Sequence, residues 1–187
     1  MGVRKRRWIV KGACMAGCFL FKQLPMSQSN VESNGPVSPL GNSLVIHANQ
    51  GRTLDAFGHT VVILLAGKQT DEKFTTFLNI SPPGGGPGPH YHEHEDEWFY
   101  IVEGRVSFLI NGTWTELSRG DSVYSPRRSV HAFKNITDQS IRVFISIAPS
   151  GFERFFAEAA NWWANPERDM SQLATIEQKY RIFSAAQ

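Results

Sequence analysis

Three histidines and one glutamate fall in two short segments punctuated by glycine and proline, and this limits the folds open to the chain. The first segment reads Gly84-x5-His90-x-His92-x4-Glu97-x6-Gly104, the second Gly120-x5-Pro126-x4-His131-x3-Asn135. Side chains at i and i+2 of a strand face the same way, so His90 and His92 can point together into an interior, about 7 Å apart along the strand. Glu97 lies five residues beyond His92, and an odd offset in an unbroken strand would turn it outward. A bulge or bend must fall between the two if Glu97 is to join the histidines. His131 must arrive from another strand, brought alongside when the sheet closes.

The rest of the chain supports strands. Thr60 to Ala66 is an apolar, β-branched run that reads as a strand buried on both faces, and Phe74 to Ile80 reads as a second. Pro82 to Pro89 is too rich in proline and glycine for helix or central strand. Trp98 to Glu103, Ser122 to Tyr124, His131 to Asn135 and Ile141 to Ala148 all read as strands. Asn111-Gly112 supplies the positive φ values of a type I′ turn, so Val106–Ile110 and Thr113–Leu117 form a hairpin. Its register sets Ile110 opposite Thr113, Phe108 opposite Thr115 and Val106 opposite Leu117. The aromatics Phe74, Phe77, Trp98, Phe99, Phe108 and Phe133 are read first as core, some of them lining a pocket.

The pattern changes at Pro149. Ser150 and Glu153 have capping-box spacing, and Phe152, Phe155, Phe156 and Ala159 recur at helical spacing with Trp162 and Trp163 next, so the stripe from Phe152 to Trp163 reads as a packing or dimer face. Pro166 ends that helix. Asp169 with Gln172 can cap another, with Leu173, Ile176 and Tyr180 on its apolar face. The predicted fold is all-β, a small closed or nearly closed barrel over residues 44–150, with residues 151–187 as a helical flank.

Of 19 basic residues, six (Arg4, Lys5, Arg6, Arg7, Lys11 and Lys22) lie in the first 25 positions, which hold no acidic residue. The remainder carries 13 basic against 17 acidic residues, so the net charge of +2 conceals an acidic body that argues against a nucleic-acid partner. Both cysteines, Cys14 and Cys18, are in that same stretch, leaving the folded part without a disulfide or thiolate site. Residues 1–25 read either as a targeting segment resembling a twin-arginine signal (Arg6-Arg7-Trp8-Ile9-Val10-Lys11), which would imply export, or as an extension before a true start at Met26, which would imply a cytoplasmic protein. The apolar run Gly12 to Phe21 is too short to span a bilayer. Residues 26–43 read as a flexible leader.

Three imidazoles and a carboxylate suit one divalent first-row transition ion (Fe, Mn, Co, Ni, Cu or Zn) rather than Ca²⁺ or Mg²⁺. Four protein ligands leave one or two positions open on an ion that accepts five or six, as chemistry requires.

The two segments resemble the paired motifs of the cupin superfamily, matching at Gly84, His90, His92, Glu97 and Gly104, and at Gly120, Pro126, His131 and Asn135. The resemblance implies that His90, His92, Glu97 and His131 are the metal ligands in a small β-barrel. Arg128 stands where the second motif usually has glycine, which predicts an altered turn rather than a lost metal. The 15-residue spacer from Arg105 to Arg119 is short for the superfamily. More narrowly, His90 to Tyr100 and Pro149 to Phe156 resemble single-domain quercetin 2,3-dioxygenase-like cupins.

That likeness implies a dioxygenase acting on a small aromatic, flavonol-like substrate, with Glu97 taking a proton from the substrate hydroxyl. A decarboxylase, an isomerase or a non-catalytic binding protein are the alternatives. A homodimer is expected, because such a barrel exposes sheet edges and an apolar flank. His94 shares parity with His90 and His92 but should turn outward at the bend. Glu93, Glu95 and Asp96 are read as a solvated acidic rim, and His47 and His59 as surface or core residues without a site role.

Overall fold

The computed structural model describes residues 43–48 and 50–185. The expectations for residues 1–42 fall outside them. Among the described residues there are eleven strands: β1 (Arg52–Ala56), β2 (His59–Leu65), β3 (Thr75–Ser81), β4 (His90–His92), β5 (Asp96–Glu103), β6 (Arg105–Ile110), β7 (Thr113–Ser118), β8 (Ser122–Ser125), β9 (His131–Asn135), β10 (Ile141–Ala148) and β11 (Ile182–Ser184). Two helices, α1 (Phe152–Ala164) and α2 (Met170–Lys179), lie between β10 and β11. No helix among the described residues is long and apolar enough to cross a membrane.

The strands form two antiparallel sheets, one ordered β1-β2-β3-β10-β5-β8 and the other β11-β4-β9-β6-β7. From β3 to β10 every connection except the β6–β7 hairpin passes from one sheet to the other, and this alternation rolls the sheets together. Gly104, at φ 88°, makes the β5–β6 switch; a Cβ there would strike the Ile141 side chain. Phe99 of β5 meets Phe108 of β6 edge-on, ring centroids 4.9 Å apart, so the sheets face each other across an aromatic core.

The predicted hairpin register holds at all three pairs, and Asn111 and Gly112 have φ of 50° and 78°. β2 departs from expectation. Only Val61 and Ile63 are buried and their neighbours are half-exposed, so it is a one-faced strand between β1 and β3. Trp98, 41% exposed, stands on the outer face beside Tyr100 and is not core.

Helix α1 begins one residue later than the capping-box reading placed it. Gly151 is the N-cap, at φ 122°, and Ser150 donates instead to the Glu72 carboxylate. Glu153 still reaches back to the cap N–H (3.0 Å) and also accepts from the Gly67 N–H and the buried Thr75 hydroxyl. It therefore fastens the helix start to β3. The Asp169–Gln172 capping box of α2 forms as predicted. The aromatic stripe of α1 packs inward: Phe156 meets Phe77 at 4.9 Å and Phe152 meets Phe77 at 6.3 Å.

Candidate metal centre

β4 and β9 are antiparallel neighbours, and His90 pairs directly with His131. The ring centroids of His90 lie 4.5 Å from His131 and 5.1 Å from His92. After His92 the chain bends at Glu93 and His94 and crosses into the other sheet as β5. That crossing brings Glu97 inward despite its odd offset, and it leaves the His94 side chain 59% exposed, as expected. One carboxylate oxygen of Glu97 lies 2.7 Å from His131 Nε2 and 3.3 Å from His92 Nε2. Ligand atoms of His90, His92, Glu97 and His131 all fall within 4.8 Å of one another.

Donor chemistry tests whether these residues fit a metal. His90 Nδ1 lies 2.8 Å from the Gly88 carbonyl and His131 Nδ1 lies 2.9 Å from the Ser129 carbonyl. A carbonyl only accepts, so each Nδ1 carries the proton and each Nε2 of a neutral ring is a bare lone pair. In a neutral ring the Nε2 of His131 would face a Glu97 oxygen at 2.7 Å, lone pair against lone pair. His92 Nε2 is likewise buried and unpartnered. Such an arrangement is costly unless a cation sits among the atoms. The residues therefore fit a divalent transition ion, and the three-nitrogen, one-oxygen set could bind one.

The protonation tendencies agree. Burial, helped by the neighbouring His131 and His92, lowers His90 to about 3 and keeps it neutral. Burial alone would raise the Glu97 carboxyl, but the His92 and His131 rings more than offset this and hold it below the ordinary carboxylate range. Burial alone would lower His131, but its contact with Glu97 reverses this and raises it, as expected where a proton substitutes for a metal.

Arg128 adopts φ 66°, the left-handed conformation that glycine takes readily. Its N–H donates to the His92 carbonyl at 2.7 Å. The turn is thus kept with arginine in place, at roughly 1–2 kcal/mol of backbone strain. The acidic rim is only partly as expected. Glu93 pairs with Arg181, and Asp96 pairs bidentately with Arg127. Glu95 is only partly solvated: its buried carboxylate oxygen sits 3.8 Å from His92 Nδ1, and burial raises its pKa.

The cluster opens into a cavity of about 550 Å³ lined by Phe77, Phe99, Phe133, Phe152, Phe155 and Phe156, among others. Phe152 lies edge-on to His92 at 5.0 Å, so the α1 stripe is part of the site wall as well as a packing face. His59 and Asn79 also line the cavity. The strand pattern held a signal for this. Asn79 and Ser81 share parity with buried Thr75 and Phe77, placing polar groups on an inward face. Glu177 of α2 and Ile182 of β11 close the cavity from the C-terminal side, in a pairing of β11 with β4 that has no local signal in the sequence.

Residues 77–147 match the cupin domain family. The chain is 30% identical over 112 residues to quercetin 2,3-dioxygenase of Bacillus subtilis (strain 168), covering 60% of this chain and 33% of that protein. It is 31% identical over 72 residues to the polyketide synthase protein CurC of Streptomyces cyaneus, covering 38% of this chain and 47% of that protein. It thus spans between a third and a half of the length of these two curated relatives. The solved structure of KdgF from Halomonas sp. superposes with a TM-score of 0.53 at 18% identity, covering 60% of this chain and 99% of that one. With paired motifs on adjoining strands, a rolled pair of antiparallel sheets and a family match over residues 77–147, the stretch from β3 to β10 carries a cupin domain.

Proposed function

We propose that His90, His92, Glu97 and His131 bind one divalent transition metal, and that the protein is a dioxygenase acting on a small aromatic, flavonol-like substrate. The observation that carries this reading is the convergence of four ligand groups, with unpartnered buried atoms, on the wall of a phenylalanine-lined cavity. The likeness to quercetin 2,3-dioxygenase supports the substrate class. A bound ion would supply a Lewis-acid position for a substrate hydroxyl and its neighbouring keto oxygen. The chain's own groups do the rest. Phe77, Phe99, Phe133 and Phe152 offer flat faces to a ring system and exclude water. Glu97, held as a carboxylate, is the base that takes the substrate hydroxyl proton.

The likeness to a polyketide synthase protein favours a second reading, a non-oxidative reaction on a related aromatic substrate in the same cavity. O₂ uptake separates the two. Protein reconstituted in turn with Fe, Mn, Co and Ni should consume O₂ when quercetin is added. Turnover without O₂ consumption would establish the second reading, and no uptake with any metal would overturn the first. We also propose a homodimer, formed through the exposed outer-face residues Trp98, Tyr100 and Tyr124.

A further inference from the structure

The cavity has a second polar group, remote from the metal cluster. Ser81 donates its hydroxyl proton to Asn79 Oδ1 at 2.6 Å, and His59 Nδ1 lies 2.8 Å from Ser81 Oγ. With its only proton committed, the Ser81 oxygen can accept but not donate to the ring, so His59 Nδ1 carries the hydrogen. Burial lowers the His59 pKa and keeps the ring neutral, which leaves Nε2 as a bare acceptor. Ser81 is wholly buried and Asn79 nearly so, and the chain Asn79–Ser81–His59 therefore fixes one tautomer of a residue that lines the cavity. Glu177, the other ionisable lining residue outside the cluster, has no such fixed partner among the described residues.

The sheet register gives the separation. Ile147 pairs with both Thr75 and Glu97, so Glu97 is level with Thr75 on β3. Ser81, beside His59, lies six residues further along that strand, and Asn135, which donates to the Ser81 carbonyl, is four residues from His131 on β9, so the separation is on the order of 13 Å. His59 thus cannot share an ion with the cluster. Side chains reaching inward from both ends leave room between them for an elongated ring system.

We propose that His59, oriented by Ser81 and Asn79, is the anchor for a hydroxyl at the end of an elongated aromatic substrate remote from the metal-binding oxygens. This rests on the aromatic-substrate reading above and narrows it. The far end of the cavity takes a hydrogen-bond donor, and an aromatic ring lacking that hydroxyl leaves the His59 acceptor buried and unpaired.

The test is equilibrium binding to the metal-loaded protein under anaerobic conditions, with 3-hydroxyflavone and its 4′-hydroxy derivative as probes. The wild type is expected to bind the 4′-hydroxy compound about fivefold more tightly, the effect of one net hydrogen bond. His59→Phe should abolish that preference, the two flavones then binding with equal affinity, while metal content stays in place. His59→Gln, which keeps an acceptor, should retain part of it. If wild type and His59→Phe bind the two flavones with the same ratio, the anchor is refuted while the aromatic-substrate reading stands. If the wild type binds neither flavone, both are refuted.

Discussion

Glu153 joins the helix that covers the cavity to the strand level with Glu97, and removing it should cost measurable stability. Its carboxylate accepts from the Gly67 N–H at 3.2 Å, the Gly151 N–H at 3.0 Å and the Thr75 hydroxyl. Hydrogen bonds to a charged acceptor contribute about 1.5–3 kcal/mol each when well buried, and about 1 kcal/mol each is the right scale for a carboxylate that is partly exposed. Glu153→Ala should therefore lose about 3 kcal/mol at neutral pH, a fall in melting temperature of roughly 6–12 °C for a chain of this size.

The pH dependence gives a second readout. Burial alone would raise the Glu153 carboxyl, but the Thr75 hydroxyl and the backbone donors lower it overall. A carboxyl with a lowered folded-state pKa contributes stability above its unfolded pKa of about 4.3 and loses it as pH falls through the folded value. The gap between wild type and variant should thus be full at pH 7 and shrink below about pH 4. Urea titrations of both proteins from pH 7 to pH 3 measure it directly. A gap that stays constant over that range, or never exceeds about 0.5 kcal/mol, would refute this account of how α1 is held.

Other expectations concern the loop and the interface. Gly86 has φ 147°, and a Cβ there would strike the Phe133 carbonyl on the strand that carries His131. Gly86→Ala should destabilise the protein by about 2 kcal/mol or more and weaken metal retention, whereas Gly88→Ala, with open space around its Cβ, should stay within about 0.5 kcal/mol of wild type. Chemical denaturation and metal analysis of the two variants provide the comparison. Light scattering should return twice the chain mass, and Tyr124→Glu together with Trp98→Glu should halve it. A wild-type protein that elutes as a monomer would remove the proposed dimer.

Much of the site was legible in the sequence because its parts are local. The Asn111-Gly112 turn alone sets the β6–β7 register. Strand parity at His90, His92 and Glu97 already required the bend that the chain makes at Glu93 and His94. The features that escaped the sequence reading depend on distant partners. β11 is three residues long, and its pairing with β4 joins residues about ninety positions apart. Glu153 has capping-box spacing from Ser150, yet its carboxylate goes to Gly67 and Thr75, which lie in other elements. His59 gains a role only when β2 and β3 pair and bring Ser81 beside it. Glu95 loses part of its solvent only because the bend folds it back against His92. Arg128 satisfies a positive-φ turn that residue type alone would assign to glycine.

The proposed site holds one divalent transition metal through His90, His92, Glu97 and His131. Metal analysis of the protein purified without chelators, alongside His131→Ala, tests it most directly. Close to one ion per chain is expected in the wild type, and a large loss in the folded variant. Stoichiometric metal retained by His131→Ala would contradict it, as would a wild type that carries no metal and takes up none of Fe, Mn, Co, Ni, Cu or Zn on addition.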